Sequence, residues 1–142
     1  MYKKILLSID LNSEASWAAP LEAALVMCRT FGASLHLVHV MADVPEAVVK
    51  LYLPDDNTEK LTQQFTAMMD AFVAEYIPEE FEAVVHLCKG NIYTGILETA
   101  KKVKADLIII GSHRPTMSDF LLGPNAARVV RHAESSVLVV RE

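Results

Sequence analysis

Two short runs of uninterrupted apolar residues constrain the fold of this chain most strongly. One is Ile5-Leu6-Leu7 near the N-terminus, and the other is Leu107-Ile108-Ile109-Ile110 in the C-terminal third. A strand that is apolar at every position is covered on both faces, as central strands of parallel sheets are. Parallel neighbours need crossover connections, so the rest of the chain must supply helices between its strands.

The remaining sequence alternates strand and helix patterns in the order that such a sheet requires. Strand patterns occupy residues 3–9, 33–40, 81–88, 105–111 and 137–140, and a helical pattern follows each of the first four. Five strands and four main helices predict an α/β fold, a doubly wound five-stranded parallel sheet in one domain spanning residues 1–142. A reversal of direction after the third strand gives the order 3-2-1-4-5. The ligand crevice then opens at the carboxyl ends of strands one and four.

Turn, cap and proline residues indicate where the helices begin and end. Residues 10–13 supply turn and N-cap chemistry for the first helix, and Gly32 is a natural stop after it. Pro20 allows two arrangements, because proline fits only the first turn of a straight helix. Either the regular helix starts near Ser16 or Trp17, or it bends at Pro20. Asn91 is expected to cap the third helix.

Charge and composition exclude several classes of partner. The net charge of −5 and a pI near 5.5 argue against nucleic acid or an anionic membrane surface, since both attract basic patches. The N-terminus lacks the long apolar region of a signal peptide, and no stretch reaches the roughly 18 apolar residues of a membrane span. Cys28 and Cys88 have no metal-binding spacing. These features predict a cytoplasmic protein with two free thiols.

Common nucleotide and catalytic motifs are missing from the sequence. Residues 8–16 contain no glycine, which excludes a Gly-x-Gly-x-x-Gly turn after the first strand, and no Walker A loop is present. No Ser/His/Asp order or His-rich metal motif stands out, so catalysis has little support. His36, His39 and His86 lie in strand patterns and are expected to be packed or hydrogen-bonded.

The residues after the fourth strand do support one kind of site, an anion site. Gly111 permits close backbone approach, Gly123 can adopt a positive φ or cap a helix, and Pro124 suits the first helical position. Backbone N–H groups at that helix start can donate hydrogen bonds to phosphate oxygens, with His113 or Arg114 adding donors or charge.

The chain resembles the universal stress proteins over its full length. Their nucleotide pattern is Gly-x-x-Gly, nine residues, then Gly-Ser/Thr. Here Gly111-Ser112-His113-Arg114 has Arg114 in the second glycine position, and eight residues separate it from Gly123. Ser-His-Arg-Pro, then Leu-Leu-Gly-x-Asn-Ala-Ala and Val-Val-Arg-His-Ala-Glu, is similar to the F/G-type branch. The resemblance implies an adenine-nucleotide-hydrolase-like fold.

The same resemblance implies a set of residues around ATP or another adenine nucleotide, which can bind together with Mg²⁺. Asp10 would lie near the ribose or adenine, with Ser8 and Ile9 beside the base, and Val40 would contact the adenine through its backbone. The ribose and phosphates would be lined by Ile110, Gly111, His113 and Arg114, and the terminal phosphates would be held by Gly123, Pro124 and Asn125. Asp10 also has a plain alternative role as a turn residue.

Two positions depart from the family pattern. Ser8 replaces a common proline, which a backbone contact tolerates. Pro124 replaces Ser or Thr, which removes a hydroxyl and an N–H from the phosphate end. At about 0.5–1.5 kcal/mol for each neutral hydrogen bond, and up to roughly 3 kcal/mol with a charged acceptor, two lost donors weaken ATP about ten- to several-hundred-fold. AMP or ADP would then gain relative to ATP.

The sequence therefore favours a stress-response protein that binds an adenine nucleotide in a regulatory role, with at most weak ATP hydrolysis. One alternative is a dimeric protein-interaction module without useful nucleotide affinity, acting on an unknown protein partner through the loop at residues 42–57. A slow ATPase is the second, with Thr116 or Ser118 as phosphate acceptors. The apolar last strand, residues 137–140, lies at a sheet edge and predicts a homodimer.

Overall fold

A five-stranded parallel sheet with helices on both faces forms the centre of the structure. The structure is a computed structural model that describes residues 1–42, 57–112 and 122–141. In chain order its elements are β1 (Lys4–Ser8), α1 (Glu14–Phe31), β2 (Ser34–Ala42), α2 (Asn57–Tyr76), β3 (Val84–Gly90), α3 (Ile92–Val103), β4 (Leu107–Gly111), α4 (Pro124–His132) and β5 (Ser136–Val140).

The strand order is β3-β2-β1-β4-β5 and every pairing is parallel, which confirms the predicted topology. β1 lies in the middle, pairing with β2 from Lys4↔Ser34 to Ser8↔Val38 and with β4 from Ile5↔Leu107 to Leu7↔Ile109. The order reverses between β1 and β4, so the crevice of a doubly wound sheet opens at their carboxyl ends.

Two apolar layers explain why the central strands are apolar at every position. Ile5 and Leu7 face one layer, and Leu6 faces the other. The first layer is closed by α1 and α2, through side chains that include Trp17 and Phe72, whose rings meet edge to face at 4.8 Å. The second is closed by α3 and α4, through Ile96, Ala100, Ala126 and Val129.

The start of α1 differs from the first of the two predicted arrangements. The helix begins at Glu14, two residues before Ser16, and Pro20 lies inside it. Ser13 occupies the N-cap position without a side-chain cap hydrogen bond, and Gly32 ends the helix with a left-handed φ of 64°. Because Pro20 has no N–H, it cannot donate to the carbonyl of Ser16 four residues earlier, and that carbonyl faces Gly111 instead.

Other boundaries shift by a few residues. β3 runs from Val84 to Gly90 rather than over residues 81–88, and its place at the sheet edge is as predicted. Asn91 is the N-cap of α3, but its side chain makes no cap hydrogen bond. In α2, Met69 is buried, while Met68 is 39% exposed. None of the helices in the described ranges is long and apolar enough to cross a membrane.

Candidate functional site

The carboxyl ends of β1 and β4 bring five of the predicted site residues side by side. Ser8, Ile9 and Asp10 end β1 and begin the following turn, and Ile110 and Gly111 end β4. The pairing Leu7↔Ile109, continued by one residue, sets Ser8 opposite Ile110. Ile9 and Ile110 are buried, whereas Asp10 is exposed at the mouth of the crevice.

Asp10 organises the turn between β1 and α1. Its Oδ1 accepts a hydrogen bond from the Asn12 N–H at 2.9 Å, and its carbonyl accepts one from the Ser13 N–H at 3.0 Å. The predicted turn role is therefore real. The hydrogen bond from Asn12 uses only one of the two carboxylate oxygens of Asp10. Because a carboxylate has about four lone-pair sites, the same side chain can also accept a hydrogen bond from a ligand hydroxyl.

Val40, near the end of β2, offers its backbone rather than its side chain. The side chain is covered by α3, because a Cβ added to Gly95 would lie 2.8 Å from Val40 Cγ2. In a parallel ladder, alternate residues direct their backbone groups to the same side. Val38 accepts the Ile9 N–H at 2.9 Å, so the backbone groups of Val40 also point toward β1, beyond the point where β1 ends.

Gly111 is required by the packing of α1. A Cβ at this position would lie 2.5 Å from the Ser16 carbonyl oxygen and 3.3 Å from Pro20 Cγ. The group that approaches Gly111 closely is thus the backbone of α1 at Ser16. The next residue is tied to β5, since Ser112 donates its N–H to the Val140 carbonyl at 3.1 Å. These contacts fix the end of β4 beside the Asp10 turn.

The start of α4 holds the three residues predicted at the phosphate end. Gly123 is the N-cap with φ −56°, so of its two predicted roles it serves as a cap and does not use a positive φ. Pro124 is in the first turn, as predicted. The N-cap Gly123 has no side chain with which to cap the helix, and the N–H groups of Asn125 and Ala126 have no intrahelical acceptor. They are the donors that remain once Pro124 contributes none.

Several predicted residues lie outside the described part of the chain. They are His113, Arg114, Thr116 and Ser118, together with most of the loop at residues 42–57.

The N-terminus of α4 lies at the carboxyl end of the sheet, with Asp10 and Gly111. This follows because α4 leads into β5, and β5 is parallel to β4.

The three strand histidines are hydrogen-bonded, as expected. His36 Nδ1 lies 3.1 Å from His86 Nε2 across β2 and β3. His39 Nδ1 lies 3.1 Å from the Ile9 carbonyl oxygen. The contact with Ile9 was not predicted, because it depends on the register between two strands. It connects a buried histidine directly to the candidate site.

The two thiols are free, and Cys88 lies opposite Val40 in the pairing of β2 with β3. Burial raises the pKa of the Cys28 thiol to about 11, which suppresses the reactive thiolate at neutral pH. Cys88 Sγ lies 3.1 Å from Thr99 Oγ1 in the contact between β3 and α3. Cys28 is thus the core thiol that its position in the helix predicts.

A separate cavity of about 870 Å³ opens between α3 and α4 at the amino ends of β4 and β5. It is lined by Leu97, Ile108, His132 and Ser135 among others, and by none of the nine described site residues. We centre the candidate site on the crevice, since ligands of doubly wound sheets bind at the carboxyl ends of the strands. Within residues 1–42, 57–112 and 122–141, no three His, Cys, Asp or Glu side chains group as a metal site.

Solved structures with the same fold cover nearly the whole chain. Hypothetical protein MJ0577 matches with a TM-score of 0.74 and 26% identity, over 100% of this chain and 97% of that one. The universal stress protein UspA from Lactobacillus plantarum matches with a TM-score of 0.74 and 21% identity, over 99% and 98% of the two chains. The second likeness is evidence for the fold alone.

Sequence relatives and the family model agree with the structures. Universal stress protein G from Escherichia coli O157:H7 is 28% identical over 143 residues, covering 99% of this chain and 100% of the relative, which is consistent with the predicted F/G-type branch. Universal stress protein MJ0531 from Methanocaldococcus jannaschii is 30% identical over 148 residues, covering 100% and 84%. The model of the universal stress protein family matches residues 1–141. The chain therefore belongs to the universal stress protein family.

Proposed function

We propose that this chain is a cytoplasmic stress-response protein that binds an adenine nucleotide in a regulatory role, with at most slow hydrolysis, through one domain spanning residues 1–142. The observation that carries the proposal is the backbone of Val40 facing the crevice next to the exposed Asp10 carboxylate. A backbone N–H and C=O together match the acceptor nitrogen and the amino group on one edge of adenine. Asp10 then accepts from a ribose hydroxyl.

The crevice walls suit a flat base. Ile9 and Ile110 are buried apolar side chains at the ends of adjacent central strands, and Val40 is 8% exposed. Ile9 packs in the first apolar layer and Ile110 and Val40 in the second, so an adenine at the strand ends is bordered by apolar residues of both layers. A universal stress protein solved in complex with cAMP shares this fold, with a TM-score of 0.65 and 20% identity. That complex is a precedent for an adenine nucleotide on the fold.

The start of α4 favours short phosphate chains. Asn125 and Ala126 provide N–H donors at the positive end of the helix dipole, while Pro124 provides none. We propose that AMP or ADP gains over ATP here, with His113 or Arg114 as additional phosphate contacts. Any Mg²⁺ would arrive with the nucleotide phosphates.

We also propose a homodimer in which the last strand pairs with its copy. β5 is at the edge of the sheet, and its residues are half-buried by β4 and the helices rather than covered completely. An apolar edge strand presents unpaired backbone groups, which a twofold partner can satisfy. Sedimentation equilibrium at micromolar concentration should give twice the mass of the chain. A monomer would refute the dimer.

Nucleotide retained during purification tests the proposal. Protein denatured after purification should release an adenine nucleotide that mass spectrometry identifies, and calorimetry should show binding of AMP, ADP and ATP but not GMP. Changing Asp10 to Ala should weaken AMP about tenfold or more, since a hydrogen bond to a charged acceptor contributes roughly 1.5–3 kcal/mol. Neither released nucleotide nor binding heat from the wild type would reject the proposal.

A further inference from the structure

His39 is a buried polar side chain at the end of β2, next to Val40. Only 3% of its surface is exposed. Its ring lies against the Phe65 ring of α2, with centroids 4.9 Å apart and planes at 23°. Its Nδ1 is 3.1 Å from the Ile9 carbonyl oxygen and 3.4 Å from the Leu11 nitrogen. The ring therefore meets the backbone of the turn that contains Asp10.

The shorter of these contacts fixes the direction of the hydrogen bond. One ring nitrogen cannot donate to Ile9 and accept from Leu11 at the same time, because the first needs a proton on Nδ1 and the second needs a lone pair. The Ile9 contact has the shorter distance for N–H···O geometry. We assign the proton to Nδ1, with the Ile9 carbonyl as its acceptor.

This bond occupies the position of a missing rung in the β1–β2 ladder. The paired register ends at Ser8↔Val38, and the last backbone bond runs from the Ile9 N–H to the Val38 carbonyl at 2.9 Å. In a parallel ladder, the residue that donates to position 38 accepts from the N–H of position 40. Here the Ile9 carbonyl is met by the imidazole of His39 instead.

We infer that His39 is a positioning residue for adenine. Its Nδ1–H donates a hydrogen bond to the Ile9 carbonyl, and this bond ends the β1–β2 ladder. The Val40 N–H therefore stays available to a ring nitrogen of the base. This inference rests on the proposed function, which supplies the adenine. It explains why a buried histidine precedes the residue whose backbone faces the crevice. Phe65 holds the imidazole in the orientation that the bond requires.

Hydrogen exchange without ligand tests the ladder directly. In His39→Leu the imidazole donor is gone, and the Ile9 carbonyl is free to recruit the Val40 N–H as the next rung. The Val40 amide should then exchange more slowly than in the wild type. His39→Asn, which keeps an N–H donor at the δ position, should keep the fast exchange. A general loosening of the fold would speed exchange, so slower exchange at this one amide is not a consequence of lost stability.

Binding supplies the second readout. His39→Leu should bind AMP about tenfold more weakly, the value of one hydrogen bond, while His39→Asn and the control His132→Asn bind as the wild type does. His132 is exposed at the far end of the sheet. Equal Val40 exchange in the wild type and His39→Leu would overturn the inference. Failure of the wild type to bind AMP would overturn the proposed function, and the exchange comparison would still decide the role of His39.

Discussion

At the scale of single residues, Pro20 and Gly111 form a matched contact that ties α1 to β4. Proline leaves the Ser16 carbonyl without its usual helical donor, and Gly111 leaves room for that oxygen, which a Cβ would meet at 2.5 Å. The pair explains both a proline inside a helix and a glycine at the end of a central strand.

Changing Gly111 to Ala should destabilise the protein by about 1–3 kcal/mol, because the new Cβ would meet the backbone oxygen of Ser16, which cannot rotate away. Urea denaturation followed by circular dichroism measures this. Gly32→Asn is the control, since an added Cβ there meets nothing within 4 Å and Asn tolerates the left-handed φ of 64°. A Gly111→Ala protein as stable as the wild type would show that α1 can move aside.

We expect Pro124 to lower the affinity for ATP relative to that for AMP. Pro124→Ala restores one backbone N–H at the first position of α4, and Pro124→Ser restores that N–H and adds a hydroxyl. We expect the ratio of ATP to AMP affinity to rise in the order Pro, Ala, Ser, by about tenfold or more in total. Calorimetric titration of the three proteins measures the ratio. An unchanged ratio would mean that the terminal phosphates do not reach the start of α4.

At the scale of elements, a histidine pair joins the edge strand β3 to β2. The nitrogens of His36 and His86 are 3.1 Å apart, and the ring centroids are 5.4 Å apart at an angle of 19°. The centroid separation is the nitrogen separation plus one ring radius at each end. The rings therefore meet edge to edge in nearly one plane, as an N–H···N hydrogen bond requires. This bond needs one unprotonated ring nitrogen.

The surroundings of the pair disfavour its charged form. Burial lowers the pKa of His36, and Lys4 lowers it further. Burial also lowers the pKa of His86, with added effects from His36 and Lys102. The unfolded chain therefore binds protons at a higher pH than the native state does. The stabilisation is complete above the ordinary value of 6.5 and is lost as the pH falls through the lowered native pKa values.

Urea unfolding between pH 7.5 and pH 5 measures this dependence. The wild type should lose more unfolding free energy across this range than the double variant His36→Gln/His86→Gln, which cannot titrate at these positions. A double variant with the same slope as the wild type would assign the pH dependence to other groups.

The sequence was sufficient for the elements and their order but not for contacts between them. Apolar runs such as Ile5-Leu6-Leu7 identify central strands because burial on both faces leaves few polar positions. The later of the two predicted starts of α1, near Ser16 or Trp17, was wrong because the local rule for Pro20 ignores Gly111, which is far away in sequence. The bond from His39 to Ile9 depends on the β1–β2 register, which no single strand pattern contains.

At the scale of the whole molecule, the candidate site and the cavity lie at opposite ends of the sheet. The crevice contains Asp10, Val40 and Gly111 at the carboxyl ends of the strands, and the cavity containing Ser135 lies at the amino ends. The crevice has polar backbone groups next to buried apolar side chains, the combination that orients a small ligand. We propose that the nucleotide binds here, at the carboxyl ends of the strands.

Backbone amide chemical shifts recorded during a titration with AMP test that claim most directly. Nucleotide binding at the crevice predicts saturable shifts clustered at the amides of residues 8–10, 40, 110–111, 123, 125 and 126, with small effects at Leu97, Lys104 and Ser135 around the far cavity. GMP at the same concentrations should leave these amides unshifted. Shifts confined to the far cavity, or no shifts at millimolar AMP, would contradict it.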